Sequence, residues 1–210
     1  MREPDGLLSG PDQRPYWEGS YSNDDQFRNV FLLTNANKKA DYYSLTAQFS
    51  KEFDNGFSAF AAYTHSRSRD LDASGGSQAQ SLWASTVKED RNNPELSYSA
   101  FDVPHRVIGN VAYQTENTTI SVFYQGSNAG RFSYTYSGNF GDSSNRLMYI
   151  PNSASELNFE AYNAGDRVIS ASEQAAALDN YINQDDYLSE NRGSIAERNA
   201  ALRPWLHRFD

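Results

Sequence analysis

The chain has 210 residues with 27 acidic against 18 basic side chains, a net charge of −9 that excludes a nucleic-acid-binding face, which needs clustered Lys and Arg. It contains no cysteine, so neither a disulfide framework nor a thiolate metal site can form. Hydrophobic content is low at 38% and aromatic content high at 14%, and no run approaches the roughly 18 apolar residues of a membrane helix; membrane β-strands stay open, because they carry only alternating hydrophobicity.

The N-terminal stretch "MREPDGLLSGPDQRPYW" lacks the apolar core of a signal peptide, so an exported protein is expected to begin upstream. Residues 1–41 are rich in Gly, Pro, Asp and Asn and read as loop, with one apolar run, "NVFLLTN" (29–35), able to pair locally. The next segment, "DYYSLTAQFSKEFDNGFSAFAAYTHSRSRD" (41–70), is two alternating runs around Asp54-Asn55-Gly56. Tyr43, Leu45, Ala47 and Phe49 share one face of the first run, and Phe57, Ala59, Ala61 and Tyr63 share one face of the second. Odd positions meet odd positions only across an odd loop, which selects a three-residue turn with Gly56 in the left-handed region.

After a Ser/Gly/Gln/Asn-rich segment (71–104), "RVIGNVAYQTENTTISVFYQG" (106–126) gives a second hairpin. Its apolar face is Val107, Gly109, Val111 and Tyr113 on the way in, and Ile120, Val122 and Tyr124 on the way out. The change of parity demands an even loop, the two-residue turn Glu116-Asn117. That register sets Tyr113 against Ile120, Val111 against Val122, and Gly109 against Tyr124, an aromatic expected to cover the glycine. A Tyr-rich strand, "RFSYTYSG" (131–138), leads into a long segment. There Ser170 and Glu173 form a capping box, and Ala175, Leu178 and Ile182 fall on one helical face, predicting a helix over about 171–183. "DYLSENRG" (186–193) predicts a further turn closed by Gly193.

The two faces of the hairpins differ in kind. One carries Ala, Gly, Val and Leu between aromatic ends; the other carries Ser, Thr, Gln and Asn with few charges, Phe60, Ala62, Ile108, Ala112 and Phe123 being its exceptions. A soluble sheet normally puts more charge on its solvent face. A membrane barrel pairs an apolar band between aromatic girdles with a polar interior, and each run of about ten residues is long enough to cross. The expected fold class is therefore all-β, an antiparallel transmembrane β-barrel, with a secreted β-sandwich that binds glycans as the alternative. Four clear crossings fall short of the roughly eight strands of the smallest membrane barrel, so an incomplete barrel is expected.

With short turns inside and long loops outside, the expected organisation is an extracellular loop region over 1–41, a transmembrane hairpin over 42–68 and an extracellular loop over 69–105. A hairpin with its extension follows over 106–137, then a long extracellular loop over 138–206 and the start of another strand over 207–210. The motifs "VPHRV" and "PWLHRF" each place a His-Arg pair, His105-Arg106 and His207-Arg208, at the outer rim of a descending strand, where Arg is expected to reach outer-leaflet anions or loop acids. The three histidines, His65, His105 and His207, lack metal-ligand spacing. Asp24-Asp25 and Asp185-Asp186 lack the Asp-x-Asn-x-Asn-Gly pattern of a calcium loop and read as solvated charge. No base is paired with a nucleophile, and no phosphate-binding loop is present, so neither an enzyme nor a cofactor is expected. Trp83, Tyr134, Tyr136 and Tyr149 are candidate ligand contacts, because aromatic rings in outer loops stack on sugars or apolar ligands.

The segment "FLLTNANKKADYYSLTAQFSKEFDNGFSAFAAYTHSRSRD", followed by "NNPELSYSAFDVPHRVIGNVAYQ", resembles the late barrel of TonB-dependent outer-membrane receptors of the Oar-like kind, relatives of the SusC-like transporters. "RLMYIPNS" (146–153), "LDNYINQDDYLSENRGSIAERN" (178–199) and "PWLHRFD" (204–210) resemble the loop and re-entry that follow in that group. The resemblance implies a bacterial outer-membrane protein in which a plug closes a many-stranded barrel and TonB supplies energy for uptake through a preceding motif. It implies as partners the outer-membrane lipid and lipopolysaccharide and the TonB complex through an upstream part, and it leaves open whether a surface lipoprotein sits on the loops, as in SusC-like systems. A TonB-independent adhesin-like barrel differs in lacking that coupling.

Overall fold

The computed structural model describes residues 6–8, 10–16, 35, 38–71, 77–78, 86–90, 93–136 and 145–210. In chain order the strands are β1 (Gly6–Leu7), β2 (Pro15–Tyr16), β3 (Asp41–Glu52), β4 (Phe57–Asp70), β5 (Ser97–Tyr98), β6 (His105–Gln114), β7 (Thr119–Asn128), β8 (Arg131–Phe132), β9 (Tyr149–Ile150), β10 (Tyr162–Ala164) and β11 (Arg167–Ile169). The helices α1 (Ala171–Gln184) and α2 (Asp186–Glu190) come next, followed by β12 (Ser194–Ile195), β13 (Ala201–Leu202) and β14 (Trp205–Phe209). They form two compact units, a sheet unit (36–73, 95–132 and 199–210) and a loop unit (1–35, 74–94 and 133–198).

The sheet unit is one antiparallel layer in the order β14-β7-β6-β4-β3, with β5 added at the end of β4. Local chemistry fixes its register. Phe53 and Phe57 close the first hairpin, with Phe57 O accepting from Phe53 N at 2.8 Å, and Gly56 takes φ +81°, as a three-residue turn requires. Thr115 N donates to Thr118 O at 2.8 Å across Glu116-Asn117, and Tyr113 then meets Ile120, Val111 meets Val122, and Gly109 meets Tyr124. Both tight turns lie at one end of the sheet, and the long connections leave from the other. The sheet is open, with β3 and β14 as its edges among the described residues. It is an arc of an all-β barrel with long loops. The strand expected from 207 is β14, starting at Trp205 and antiparallel to β7.

Tyr124 does not cover Gly109. A side chain added at Gly109 would meet only the Phe60 carbonyl, at 3.8 Å. Tyr124 leans instead over Gly126, where an added Cβ would collide with its hydroxyl and with Trp205 Nε1 at 2.6 Å. A strand side chain leans along the strand, so register alone does not say which neighbour it shields.

The loop unit has the conventional core that the sheet lacks. Ile150, Ile182, Leu188 and Ala196 are buried together, with Tyr134, Met148, Leu178 and Tyr187 packed on them. Helix α1 is fixed by the capping box, Glu173 N donating to Ser170 Oγ at 3.2 Å while the Glu173 carboxylate accepts from Ser170 N at 3.3 Å. Asp185 caps α2, its Oδ1 accepting from Leu188 N at 2.8 Å. The Tyr-rich strand expected over 131–138 is only the pair β8, which joins β13 of the sheet unit. Gly193 does not close α2. It has φ +76° and donates to Ile150 O at 2.7 Å, where β12 meets β9. The expected local pairing of "NVFLLTN" lies outside the described residues.

Candidate functional site

Opposed residues of an antiparallel pair share a face, so the register assigns the sheet's side chains without further argument. From the turns outward, one face runs through the row Phe57, Tyr113 and Ile120, then Ala59, Val111 and Val122. The rows Phe49, Ala61, Gly109, Tyr124 and Phe209, and then Ala47, Tyr63, Val107, Gly126 and His207, lie beyond. The next row brings Leu45, His65 and His105 side by side, and Tyr43 with Arg67 follows. Every residue expected on the apolar face is on this one. It is not covered by protein: Leu45 is 72%, Phe49 61%, Ile120 66% and Phe209 68% exposed.

Near its outer end this face carries three Tyr–His pairs. The Tyr63 hydroxyl is 2.7 Å from His105 Nδ1, that of Tyr124 is 3.0 Å from His207 Nδ1, and that of Tyr43 is 3.5 Å from His65 Nε2. Trp205 Nε1 donates to the Tyr124 hydroxyl at 3.3 Å, and the His65 and His105 rings lie 5.1 Å apart. The opposite face carries Ser44, Thr46, Gln48 and Ser50 against Ser66, Thr64, Ala62 and Phe60, with Thr46 and Thr64 hydroxyls hydrogen-bonded at 2.9 Å. Phe60 and Phe123 both lie on it, flanking Asn110 in one row.

Above the sheet's long-connection end, a buried ion pair orders the first residues of the connections within the sheet unit. Asp102 is 1% exposed and accepts from Arg131 Nε at 2.5 Å and from Ser68 N at 2.6 Å. The Arg131 guanidinium lies 3.7 Å from the Tyr98 ring centre and donates to the Ala200 carbonyl at 3.0 Å.

In the loop unit an open cleft of about 510 Å³ is lined by Pro11 to Pro15, Tyr149 and Gly193 to Ile195. Arg14 grips Asp12 through Nε at 2.8 Å and Nη2 at 2.7 Å. Burial pushes the Asp12 carboxyl up, but the hydrogen bonds and charge of Arg14, helped by Arg146, outweigh it and hold it below the ordinary carboxylate range. Tyr149 is on the cleft wall, its hydroxyl donating to Glu156 at 3.3 Å.

The chain matches the family model of the outer membrane beta barrel domain over residues 4–210. It belongs to that family. No curated protein matches it, and no solved structure does.

An outer membrane beta barrel domain resides in the bacterial outer membrane, and the family match over residues 4–210 sets aside the secreted-sandwich alternative. The four rim residues of this barrel domain separate by parity. His105 and His207 lie on the apolar face. Arg106 and Arg208 lie on the polar one, opposite Thr64 and Gln125, with Arg208 Nε paired to Asp210 at 2.9 Å. The arginines therefore do not carry the outer-leaflet contact expected of them, as neighbouring strand residues point to opposite faces. Arg67, Arg69 and Trp205, which no motif in the sequence marks, share the histidines' face. Of the candidate ligand aromatics, Trp83 lies outside the described residues. Tyr134 packs into the loop core, stacked on Tyr187 with its hydroxyl donating to Asp185 at 2.5 Å. Tyr136 is half-buried and accepts from Tyr149 N at 3.1 Å. Tyr149 alone of these borders the cleft. Asp185 is engaged as helix cap and tyrosine acceptor, and Asp24-Asp25 lie outside the described residues.

Proposed function

We propose that this barrel domain is part of a TonB-dependent receptor that takes up a substrate across the outer membrane, with its apolar sheet face against lipid and its loop unit outside the cell. The observation that carries the membrane placement is the sheet's missing core: the buried apolar residues of the described chain are in the loop unit, apart from Ala201. A sheet with large apolar side chains exposed is stable only where hydrocarbon replaces water. What favours reception over a purely structural barrel is the loop unit, which has its own hydrophobic core and a cleft walled by Tyr149 and two prolines. Folded loops with aromatic walls suit ligand capture, and the Oar-like resemblance supplies the coupling: energy enters through a plug and a TonB-contacting motif in another part of the protein.

The test compares uptake of isotope-labelled medium components by cells lacking the gene, cells with the gene and an inactive TonB, and wild type. The gene deletion and the TonB inactivation are expected to remove uptake of the same component. Uptake that needs the gene and not TonB overturns the receptor reading and favours a TonB-independent barrel.

A further inference from the structure

We propose that the outer end of the apolar face is a binding belt for the phosphate groups of outer-leaflet lipid headgroups, built from His65, His105, His207, Arg67 and Arg69. It rests on the membrane placement of the sheet and not on TonB coupling.

The position comes first. From Phe57 in the innermost row to His65 is eight residues along β4; at ~3.3 Å per residue and a tilt of about 40° these rise about 20 Å, and Arg67 stands about 5 Å higher. An apolar band of about 25 Å that begins at the Phe57 row therefore ends where His65, His105, Arg67 and Arg69 stand, with His207 one row nearer the turns. They occupy headgroup depth while pointing away from the barrel interior.

The charge comes second. The protein is acidic overall, yet the described sheet residues on this part of the face include a single carboxylate, Asp41, which Arg67 and Arg69 share at 3.3 and 2.9 Å. Two guanidinium groups on one carboxylate leave a net positive charge. Arg67 stands over the Tyr43 ring at 4.9 Å; its Nε is buried, and its side chain as a whole is 38% exposed.

The arrangement comes third. Each histidine is held by one ring atom: His105 and His207 through Nδ1 to a tyrosine hydroxyl, and His65 through Nδ1 to the Pro104 carbonyl at 3.1 Å. For His105 and His207 this leaves Nε2 for a ligand; at His65 the Tyr43 hydroxyl lies 3.5 Å from Nε2, at the limit of a hydrogen bond. Ring nitrogens held at one edge, with Arg67 one row and Arg69 two rows beyond His65 and His105, form a set of anion donors that needs little ordering when a phosphate arrives. A girdle whose only task was to be amphipathic would need the tyrosines and Trp205 but not the cations.

The test uses the complete protein in dodecyl maltoside micelles, with lipid retention read by native mass spectrometry. The probes are diphosphoryl lipid A, the same lipid with both phosphates removed, and inorganic phosphate. The wild type is expected to retain the phosphorylated lipid roughly tenfold better than the dephosphorylated one. A combined His65→Gln, His105→Gln, His207→Gln and Arg67→Gln variant should lose that preference, whereas Arg106→Gln with Arg208→Gln, on the polar face, should keep it. Should the combined variant fail to fold, Arg67→Gln alone carries the test through a reduced preference. Equal retention of the two lipids by wild type, or an unchanged preference in the belt variants, overturns the proposal. Displacement of the lipid by inorganic phosphate at equal concentration overturns the lipid as the occupant.

Discussion

Gln48 and Phe49 are adjacent in β3 and meet different surroundings. Phe49 is on the exposed apolar face opposite Ala61, and Gln48 faces Ala62 on the polar side. Phe49→Arg is expected to cost about 2–4 kcal/mol in a bilayer and Gln48→Arg far less, measured by reversible urea unfolding of the complete protein in lipid vesicles. Equal costs would show the lipid face to be misassigned. The glycines make a second contrast. Gly126→Ala forces apart Tyr124 and Trp205 and should destabilise by about 1–3 kcal/mol, while Gly109→Ala makes only an ordinary contact with the Phe60 carbonyl. Asp102→Asn removes the charge opposing a buried Arg131 and should cost about 3–5 kcal/mol in the same assay. Parity made the apolar face legible in the sequence, residue by residue. It did not reveal the Gly126 contact, because Trp205 reaches that glycine from a strand remote in sequence.

The two hairpins were readable as elements because turn chemistry and side-chain alternation agree. Gly56 is the point where they meet: with φ +81° and the Gln114 carbonyl beside it, Gly56→Ala should cost more than about 1 kcal/mol and slow assembly, seen as a lower folded fraction in refolding assays. Helix α1 was readable for the same reason, since its cap and its apolar spacing coincide. Ser170→Ala should cost about 1 kcal/mol, read from hydrogen exchange of the first helical turn. The two-residue ladders β8–β13 and β9–β12 were not readable, because pairs so short carry no periodicity. The cleft was missed for a related cause: Arg14 and Tyr149 are brought together by pairing distant in sequence.

At the scale of the molecule, two units are held together by different forces. Lipid must shelter the sheet's apolar face, and packing around Ile150, Ile182 and Leu188 holds the loop unit in water. Acidity should therefore act on the loop unit. The Asp12 carboxyl has a depressed folded-state pKa, so its contribution is present above about pH 4 and is lost as pH falls through the folded value. Burial and then the Asp185 hydrogen bond raise the Tyr134 hydroxyl, so its contribution is present below about pH 10 and is lost as pH rises through its folded value. Proteolysis within 145–198 should thus be slowest between these limits and faster on either side; a flat rate from pH 3 to 11 would refute both roles. The open borders of the sheet have a consequence for biogenesis. Along β3, with its 12 residues, about half the peptide groups aim away from β4 with no strand beside them among the described residues, and oil cannot hydrate them. This arc therefore cannot come to rest in a bilayer by itself. Insertion must be cooperative with whatever strands zip onto β3 and β14, and a stray copy of the segment will seek the same zipper in its own kind, which means precipitation.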